Sequence, residues 1–312
     1  MSSEITAARA QKYASDVYIL AQQKGSRLRN AVRVEEGIVG KRAFFDRVGT
    51  KTAQLLTSRH ADTTYVDTPH TRRAVDLAPY FDADLIDTAD KVRMVWDPTG
   101  PYVQASMNAL GRSMDDVILT AASADAVTGE TGSGTTALGD AQKVMAVSGG
   151  AIANLNVLAL RQAKKILDTA EVDPSISRHC AINAVQQFGL LGQTEVTSAD
   201  YNTVRALVMG EVNTYLGFNF IHSERLIDQS GAEVFDTTSG LTTGDDALDS
   251  DGHDRVIAWA KDGLLLGIAE NMVGKVDVLP GKHYSVQVYA RMDLGAVRME
   301  EAKVVEIHCR ET

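Results

Sequence analysis

The glycines of this 312-residue chain that could bind a phosphate lack the spacing that a phosphate-binding loop requires. The closest match is Gly129-x-x-Gly132-x-Gly134, yet no Gly-Lys-Ser/Thr follows it and the next lysine is Lys143. The surrounding residues 125–150 are rich in Gly, Thr and Ser. We interpret this segment as a loop and not as a nucleotide-binding site.

Metal-binding and acid–base patterns are also incomplete. Asp249-x-Asp251-Gly252 resembles part of a calcium loop, but alanines occupy its first and twelfth ligand positions. Seven histidines never fall at metal-ligand spacing. Asp115 and Asp116 are adjacent on a predicted helix and point about 100° apart, so we interpret them as a solvated face. The sequence therefore predicts a protein that is not an enzyme and has no cofactor or metal site.

Charge is unevenly distributed along the chain. Hydrophobic residues make up 44% of the composition, enough for a sizeable core, and the net charge is −10. Residues 1–60 hold eleven Lys and Arg and five acids, a balance of +6, which leaves −16 for the remainder. Residues 228–254 contain eight acids and no Lys or Arg, as expected for an exposed loop. Unlike charges on two parts of one chain favour association between copies.

The elements that would position these side chains are of mixed type. An amphipathic helix is predicted over 97–124, beginning at Asp97-Pro98, and a second over 151–170. We also expect helices over 4–24 and from about Thr197, a two-sided buried strand over Arg178–Gln186, and a short helix over 261–270. Cys180 and Cys309 are expected to be buried thiols. No apolar run approaches the roughly 20 residues of a membrane span.

The segment Lys41–Asp87 has strand-forming residues but too few apolar ones to make a buried face. An isolated two-stranded hairpin is only marginally stable in water. We expect this segment to lie on its own globular body or on a neighbouring copy, which favours a subunit of an assembly.

Several segments carry a family resemblance through their order along the chain. They are Ala43–Gly49, His70–Arg73, Tyr80–Asp87, Asp97–Tyr102, Leu216–Ile221 and Val304–Cys309. In this order the chain resembles the major capsid proteins of tailed bacteriophages, whose shell fold also occurs in herpesvirus capsid floors and in encapsulins.

The resemblance implies an α+β fold with an N-terminal arm, an extended β-hairpin loop, a long spine helix, a peripheral domain and an axial domain. The implied boundaries are 1–40 for the arm, 41–90 for the extended loop and 91–175 for the peripheral domain, with the spine helix at 97–124. The axial domain would span 176–290, and residues 291–312 would form a C-terminal strand returning to the peripheral domain.

The resemblance also implies a function. Copies would assemble into the hexamers and pentamers of an icosahedral shell around double-stranded DNA, without sequence-specific binding, in the host bacterial cytoplasm and without a membrane. A separate scaffolding protein, a portal and a cement protein are the implied partners. The predicted inter-subunit contacts are arginines of the extended loop that meet acids on a neighbour: Arg42, Arg47, Arg59, Arg72 and Arg73.

Three alternatives remain open from sequence. The five arginines could simply solvate an exposed hairpin, since exposed ion pairs contribute little. The chain could form an encapsulin-type compartment that packages an enzyme and not DNA. It could also be an α/β enzyme whose segment 125–150 is an active-site lid.

Overall fold

A computed structural model describes residues 21–56, 58–59, 62–63, 65–87, 99–148, 151–193, 214–228 and 253–310. The chain divides into two compact units. The smaller unit comprises Met1–Ser26, Pro79–Ser113 and Glu270–Asp293. The larger unit comprises Arg27–Ala78, Met114–Ala269 and Leu294–Thr312.

The chain contains both helices and strands, which agrees with the α+β prediction. The helices are α1 (Thr99–Ser123), α2 (Val157–Thr169) and α3 (Ala184–Leu191). The strands are β1 (Arg33–Glu36), β2 (Arg42–Val48), β3 (His70–Asp76), β4 (Ala78–Ile86), β5 (Ala126–Thr128), β6 (Gly134–Thr136), β7 (Lys143–Met145), β8 (Val147–Ser148), β9 (Ala151–Ile152), β10 (Arg178–Ile182), β11 (Thr214–Tyr215), β12 (Phe218–His222), β13 (Ile227–Asp228), β14 (His253–Ala260), β15 (Leu264–Leu279), β16 (Ser285–Arg298) and β17 (Val304–Arg310).

The core of the larger unit is a seven-stranded sheet with the order β11-β12-β10-β14-β17-β7, in which β13 also pairs with β14. Its central strands carry apolar residues on both faces, the pattern of a sheet covered on both sides. Trp259 of β14 is fully buried, and its indole N–H donates to the carbonyl oxygen of Ala31 at 2.9 Å. This bond joins the sheet to the chain segment that precedes β1.

Two helices of the larger unit begin at asparagine caps. The Asn156 side chain accepts from the Ala159 N–H at 2.7 Å, and the Asn183 side chain accepts from the Gln186 N–H at 2.9 Å. Both bonds satisfy an N–H group that a helix start leaves without a partner. The helix predicted over 151–170 begins at Val157, because Ala151–Ile152 is a strand.

Other sequence predictions are corrected by the structure. The strand predicted over Arg178–Gln186 ends at Ile182, where Asn183 caps α3. The helix predicted over 261–270 is wrong, because Leu264 begins β15 and this apolar run pairs with β1. The predicted helix over 97–124 runs from Thr99 to Ser123, while Asp97-Pro98 lies outside the described residues. The helix near Thr197 and most of the helix predicted over 4–24 also lie outside them.

The predicted boundary between residues 175 and 176 runs through a single sheet. The C-terminal strand β17 pairs with β7, from the segment predicted as peripheral, and with β14, from the segment predicted as axial. The observed units instead place Met114–Ala269 and Leu294–Thr312 together. The division into arm, extended loop, peripheral domain, axial domain and C-terminal strand is not tested by these units and stays a prediction.

In the smaller unit, the N-terminal segment crosses α1 at a glycine. A β-carbon on Gly111 would lie 2.5 Å from the backbone of Gly25, a distance that no larger side chain could accommodate. The Arg112 guanidinium donates to the Gln22 side chain at 2.8 Å beside this crossing. A small residue in α1 thus allows two backbones to approach closely.

Candidate assembly interface

The extended segment forms a hairpin whose two strands are β2 and β3, here called the root. Its register pairs Arg42 with Asp76 at one end and Val48 with His70 at the other. The Gly49 N–H then donates to the Pro69 carbonyl oxygen at 2.8 Å, and this bond closes the ladder. Beyond it lie residues 50–68, here called the tip. No helix or strand occurs among the tip residues that the structure describes.

The root is packed as part of the larger unit. Val75 belongs to a buried apolar cluster, and Phe45 packs against the same cluster. Strand β3 also joins β5, with Arg73 opposite Thr128. The four-stranded sheet therefore has the order β2-β3-β5-β6. The root gains its order from the body of its own subunit.

Arg73 lies in the middle of the root, opposite Phe45, and is 1% exposed. Its guanidinium donates to the Glu301 carboxylate and, at 3.4 Å, to the Met299 carbonyl oxygen. Burial lowers the pKa of Arg73, and the Glu301 charge opposes this shift. Arg47 reaches the same carboxylate at 3.8 Å and donates to Thr71 at 3.1 Å.

A second buried arginine, which sequence reasoning missed, lies beside the same carboxylate. Arg298 is 0% exposed, and its guanidinium donates to the carbonyl oxygens of Ala122, Ala124 and Thr136 at 2.8, 2.8 and 2.9 Å. Burial lowers its pKa as well. These bonds fix the end of α1 and strand β6 to β16. A buried guanidinium is tolerated here because backbone carbonyls take its donors.

The other two root arginines are bonded at the surface. Arg42 donates to Asp76 at 2.8 Å and to the Gly132 carbonyl oxygen at 2.9 Å. Arg72 donates to Asp46 at 2.6 Å and stacks 5.6 Å from the centre of the Phe44 ring. Four of the five predicted contact arginines therefore have partners within their own chain. Their contact with a neighbour stays a prediction.

The tip differs from the root in what it exposes. Arg59 is exposed, and no ion pair involves it within the described part of the tip. Leu55 and Tyr65 are 87% and 89% exposed, and Leu56 and Val66 are exposed as well. Several exposed apolar side chains in one short segment are typical of a surface that is covered in an assembly.

The segment predicted as a loop over 125–150 contains several short strands. Gly129 and Gly132 have positive φ angles of 98° and 69° at the turn between β5 and β6. The Gly132 carbonyl accepts from Arg42, so this turn is fastened to the root. The glycines serve a hairpin turn, which needs left-handed backbone, and not a phosphate-binding loop.

The remaining chemical candidates have structural partners. Asp115 is fully buried, and its carboxylate accepts from the backbone N–H groups of Arg27 and Leu28 at 3.0 and 3.2 Å. The prediction of a solvated face at Asp115 was therefore wrong. Burial raises the pKa of the Cys180 and Cys309 thiols, which leaves them unreactive. Among the described residues, no cluster of His, Cys, Asp and Glu is placed to hold a metal, and no helix is long and apolar enough to cross a membrane.

Comparisons with known proteins identify a family and several solved structures that this chain resembles. The family model described as phage capsid protein matches residues 5–311. The capsid protein of cyanophage P-SCSP1u is 17% identical with a TM-score of 0.73, covering 100% of this chain and 96% of that one. The protein of Mycobacterium phage Che8 is 18% identical with a TM-score of 0.68, covering 96% and 97%. That of Ralstonia phage GP4 is 10% identical with a TM-score of 0.73, covering 98% and 96%.

A search of curated proteins found no match. The family model nevertheless covers almost the whole chain, and the structural neighbours share its fold over nearly their full length. Neither the encapsulin-type nor the enzyme alternative is favoured by these matches. The chain belongs to the phage capsid protein family and is a structural protein of the virion shell, not an enzyme.

Proposed function

We propose that this chain forms the hexamers and pentamers of an icosahedral shell that encloses double-stranded DNA, with the hairpin tip as a contact between subunits. The observation that carries the proposal is the contrast within the hairpin. Its root is packed and hydrogen-bonded to the larger unit, while its tip presents exposed apolar side chains. A packed root with an exposed tip leaves the tip available to a neighbour.

The tip has enough apolar surface to contribute to assembly. Burying one leucine side chain stabilises by about 2 kcal/mol. Leu55, Leu56 and Tyr65 together could therefore contribute several such increments per subunit, reduced by the entropy lost when the tip is ordered. In a closed shell every subunit makes this contact, so a modest energy is repeated many times.

The arginines divide into two roles in this proposal. Arg73 serves the fold, because its side chain is buried in its own subunit. Arg42, Arg47 and Arg72 hold the root in the direction that the neighbour requires. Arg59 is the arginine of the five that we assign to direct contact with an acidic group of the neighbour, because it lies exposed on the tip.

The proposal extends to the interior and to other proteins. The chain has a net charge of −10, so like charges oppose tight binding of DNA to the shell. This fits a container that encloses DNA without reading its sequence. A separate scaffolding protein, a portal and a cement protein would complete assembly, which we place in the host bacterial cytoplasm. The arm, extended loop, peripheral domain and axial domain, at the boundaries given above, belong to the same proposal.

The test is expression of the full chain, alone and together with its neighbouring genes, followed by size-exclusion chromatography and negative-stain electron microscopy. Closed shells, tubes or isolated capsomers are the expected products. A chain that stays monomeric with its scaffolding protein present would contradict the proposal. The nucleic-acid content of particles made during infection separates a DNA container from an encapsulin-type compartment, which would hold an enzyme.

A further inference from the structure

Helix α2 carries a basic groove on the larger unit, well separated in sequence from the hairpin. Arg161, Lys164 and Lys165 line it together with Asp168, Thr169 and Leu216, and it encloses about 530 Å³. Arg161 and Lys165 are exposed, and Lys164 is half-buried. Within the part of the chain that the structure describes, none of these three cations forms an ion pair. The one acid of the groove, Asp168, is bound by Arg178 at 2.7 Å.

The groove also has an apolar wall with an unusual backbone. Leu216 and Gly217 have positive φ angles of 52° and 86° and form the two-residue turn between β11 and β12. Such turns favour Gly, Asn and Asp, so a leucine here is held in a conformation that costs about 1 kcal/mol or more. The groove thus combines three cations with one aliphatic side chain.

A segment of complementary chemistry lies elsewhere in the same sequence. Residues 229–252 contain six acids and no Lys or Arg, and their acids are interspersed with apolar residues, as in Asp245-Asp246-Ala247-Leu248-Asp249. Carboxylates would pair with the three cations, and a leucine would contact Leu216. This alternation fits the groove better than a nucleic-acid backbone, which offers phosphates but no aliphatic side chain.

The groove and the ends of the acidic segment lie at opposite ends of one sheet. Arg178 pairs with Phe218 and with Ala260, which places Leu216 and the groove at that end. Asp228 pairs with Asp254, and these residues flank the acidic segment. Ala260 lies six residue steps along β14 from Asp254, about 20 Å at 3.4 Å per residue. Complementary features at opposite ends of one sheet favour head-to-tail contact between copies, and such contacts form a ring where the rotation between neighbours closes.

We propose that the basic groove on α2 binds the acidic segment 229–252 of the adjacent subunit, and that this contact is repeated around the capsomer. The inference rests on the proposed function, because it requires copies to meet in rings. It adds a second contact, between two parts of the larger unit, to the contact made by the hairpin tip.

The first experiment uses two charge-reversed variants of the full chain. The groove variant carries Lys164→Glu and Lys165→Glu, and the acidic-segment variant carries Asp245→Lys, Asp246→Lys and Asp249→Lys. Each variant alone should give about tenfold fewer capsomers than the unmodified chain. Co-expression of the two should restore hexamers, because six subunits of two kinds can alternate and then pair opposite charges at every contact. A five-membered ring cannot alternate, so pentamers should not return. A matched control, Lys275→Glu with Lys282→Glu, changes the charge equally at exposed sites and should assemble normally.

The outcomes separate this inference from the proposed function. Normal shells from the groove variant would overturn the inference and leave the shell function standing. Absence of shells from the unmodified chain would overturn the function itself. Loss of assembly in the lysine control would show that net charge matters and the groove does not. Failure of co-expression to restore hexamers would indicate that the groove takes a segment of its own chain, which also overturns the inference.

A cross-link tests the same contact without charge reversal. Subunits carrying only Lys165→Cys are mixed with subunits carrying only Asp246→Cys, and the native Cys180 and Cys309 are buried and do not interfere. Oxidation of the assembled mixture should give a disulfide-linked dimer on a non-reducing gel. Monomers alone would contradict the inference. If purified capsomers retained DNA and the groove variant did not, the groove would be a nucleic-acid site and not a site for the acidic segment.

Discussion

The root and the tip of the same hairpin differ in what holds their arginines. In the root, Arg73 is buried against Glu301, and Arg42 is bonded to Asp76 and to the Gly132 carbonyl. In the tip, Arg59 is exposed among exposed apolar side chains. Arginines along a polar strand therefore do not by themselves mark an interface. Burial decides which of them support the fold and which remain for a partner.

The largest effect on stability is expected when the Glu301 carboxylate, which binds Arg73 of the root, is removed. Glu301→Ala leaves the buried Arg73 and Arg298 guanidiniums without their nearest acid. We expect the free energy of unfolding to fall by about 3 kcal/mol. Urea denaturation followed by Trp259 fluorescence in a Trp96→Phe background measures it. Glu300→Ala, which removes a half-exposed carboxylate beside it, should change stability by less than about 1 kcal/mol.

A glycine beside the end of the root gives the next largest effect. A β-carbon on Gly295 of β16 would lie 2.0 Å from the Asp76 carbonyl oxygen, so Gly295→Ala must displace backbone. Overpacking of this kind costs about 2 kcal/mol. Gly281→Ala is the control, because a β-carbon there meets open space. Equal urea midpoints for the two variants would show that the root is not packed tightly against β16.

The exposed ion pair of the root should contribute little. Arg72→Ala removes the bond to Asp46 and the contact with Phe44, and we expect only a small loss of stability because exposed ion pairs contribute little. The Arg72 hydrogen bond lowers the pKa of Asp46, so this contribution is present above about pH 4 and is lost as the pH falls through the lowered pKa. Thermal melts at pH 7 and pH 3 measure both statements. A loss of stability at pH 7 as large as that of Glu301→Ala would place Arg72 in the same class as Arg73.

The smallest effect on stability is expected at the tip. Arg59→Glu should leave the unfolding free energy within about 0.5 kcal/mol of the unmodified value, because the residue is exposed. Shell yield, counted by negative-stain electron microscopy, should nevertheless fall strongly. Normal yield would remove Arg59 from the interface. The pair Arg72→Glu and Arg73→Glu cannot test assembly cleanly, because reversal of the buried Arg73 would disrupt the root itself.

Local patterns predicted the elements in which the apolar spacing repeats over many residues. The helix α1 follows from apolar residues three and four positions apart. The α+β class was implied by the resemblance to the phage capsid proteins. Short apolar runs were ambiguous. The run at Leu264 suits a helix or a strand equally well, and only its pairing with β1 decides the outcome.

The candidate site was predictable as a segment but not residue by residue. The polar composition of Lys41–Asp87 indicated an extended hairpin, and the structure has one between Arg42 and Asp76. The burial of Arg73 depends on Glu301, which lies 228 residues away in sequence. No local pattern reports such a partner. The burial of Arg298 was not predicted for the same reason, since its acceptors are backbone carbonyls of a distant segment.

Hydrogen–deuterium exchange of free subunits and of assembled shells tests most directly whether the tip is an assembly contact and the root part of the fold. Peptides covering the root, Arg42–Val48 and His70–Asp76, should exchange slowly and equally in both states. Peptides covering residues 50–68 should exchange fast in free subunits and become protected only in shells. Equally fast exchange of the tip in both states would contradict the account, since the tip would then remain uncovered after assembly.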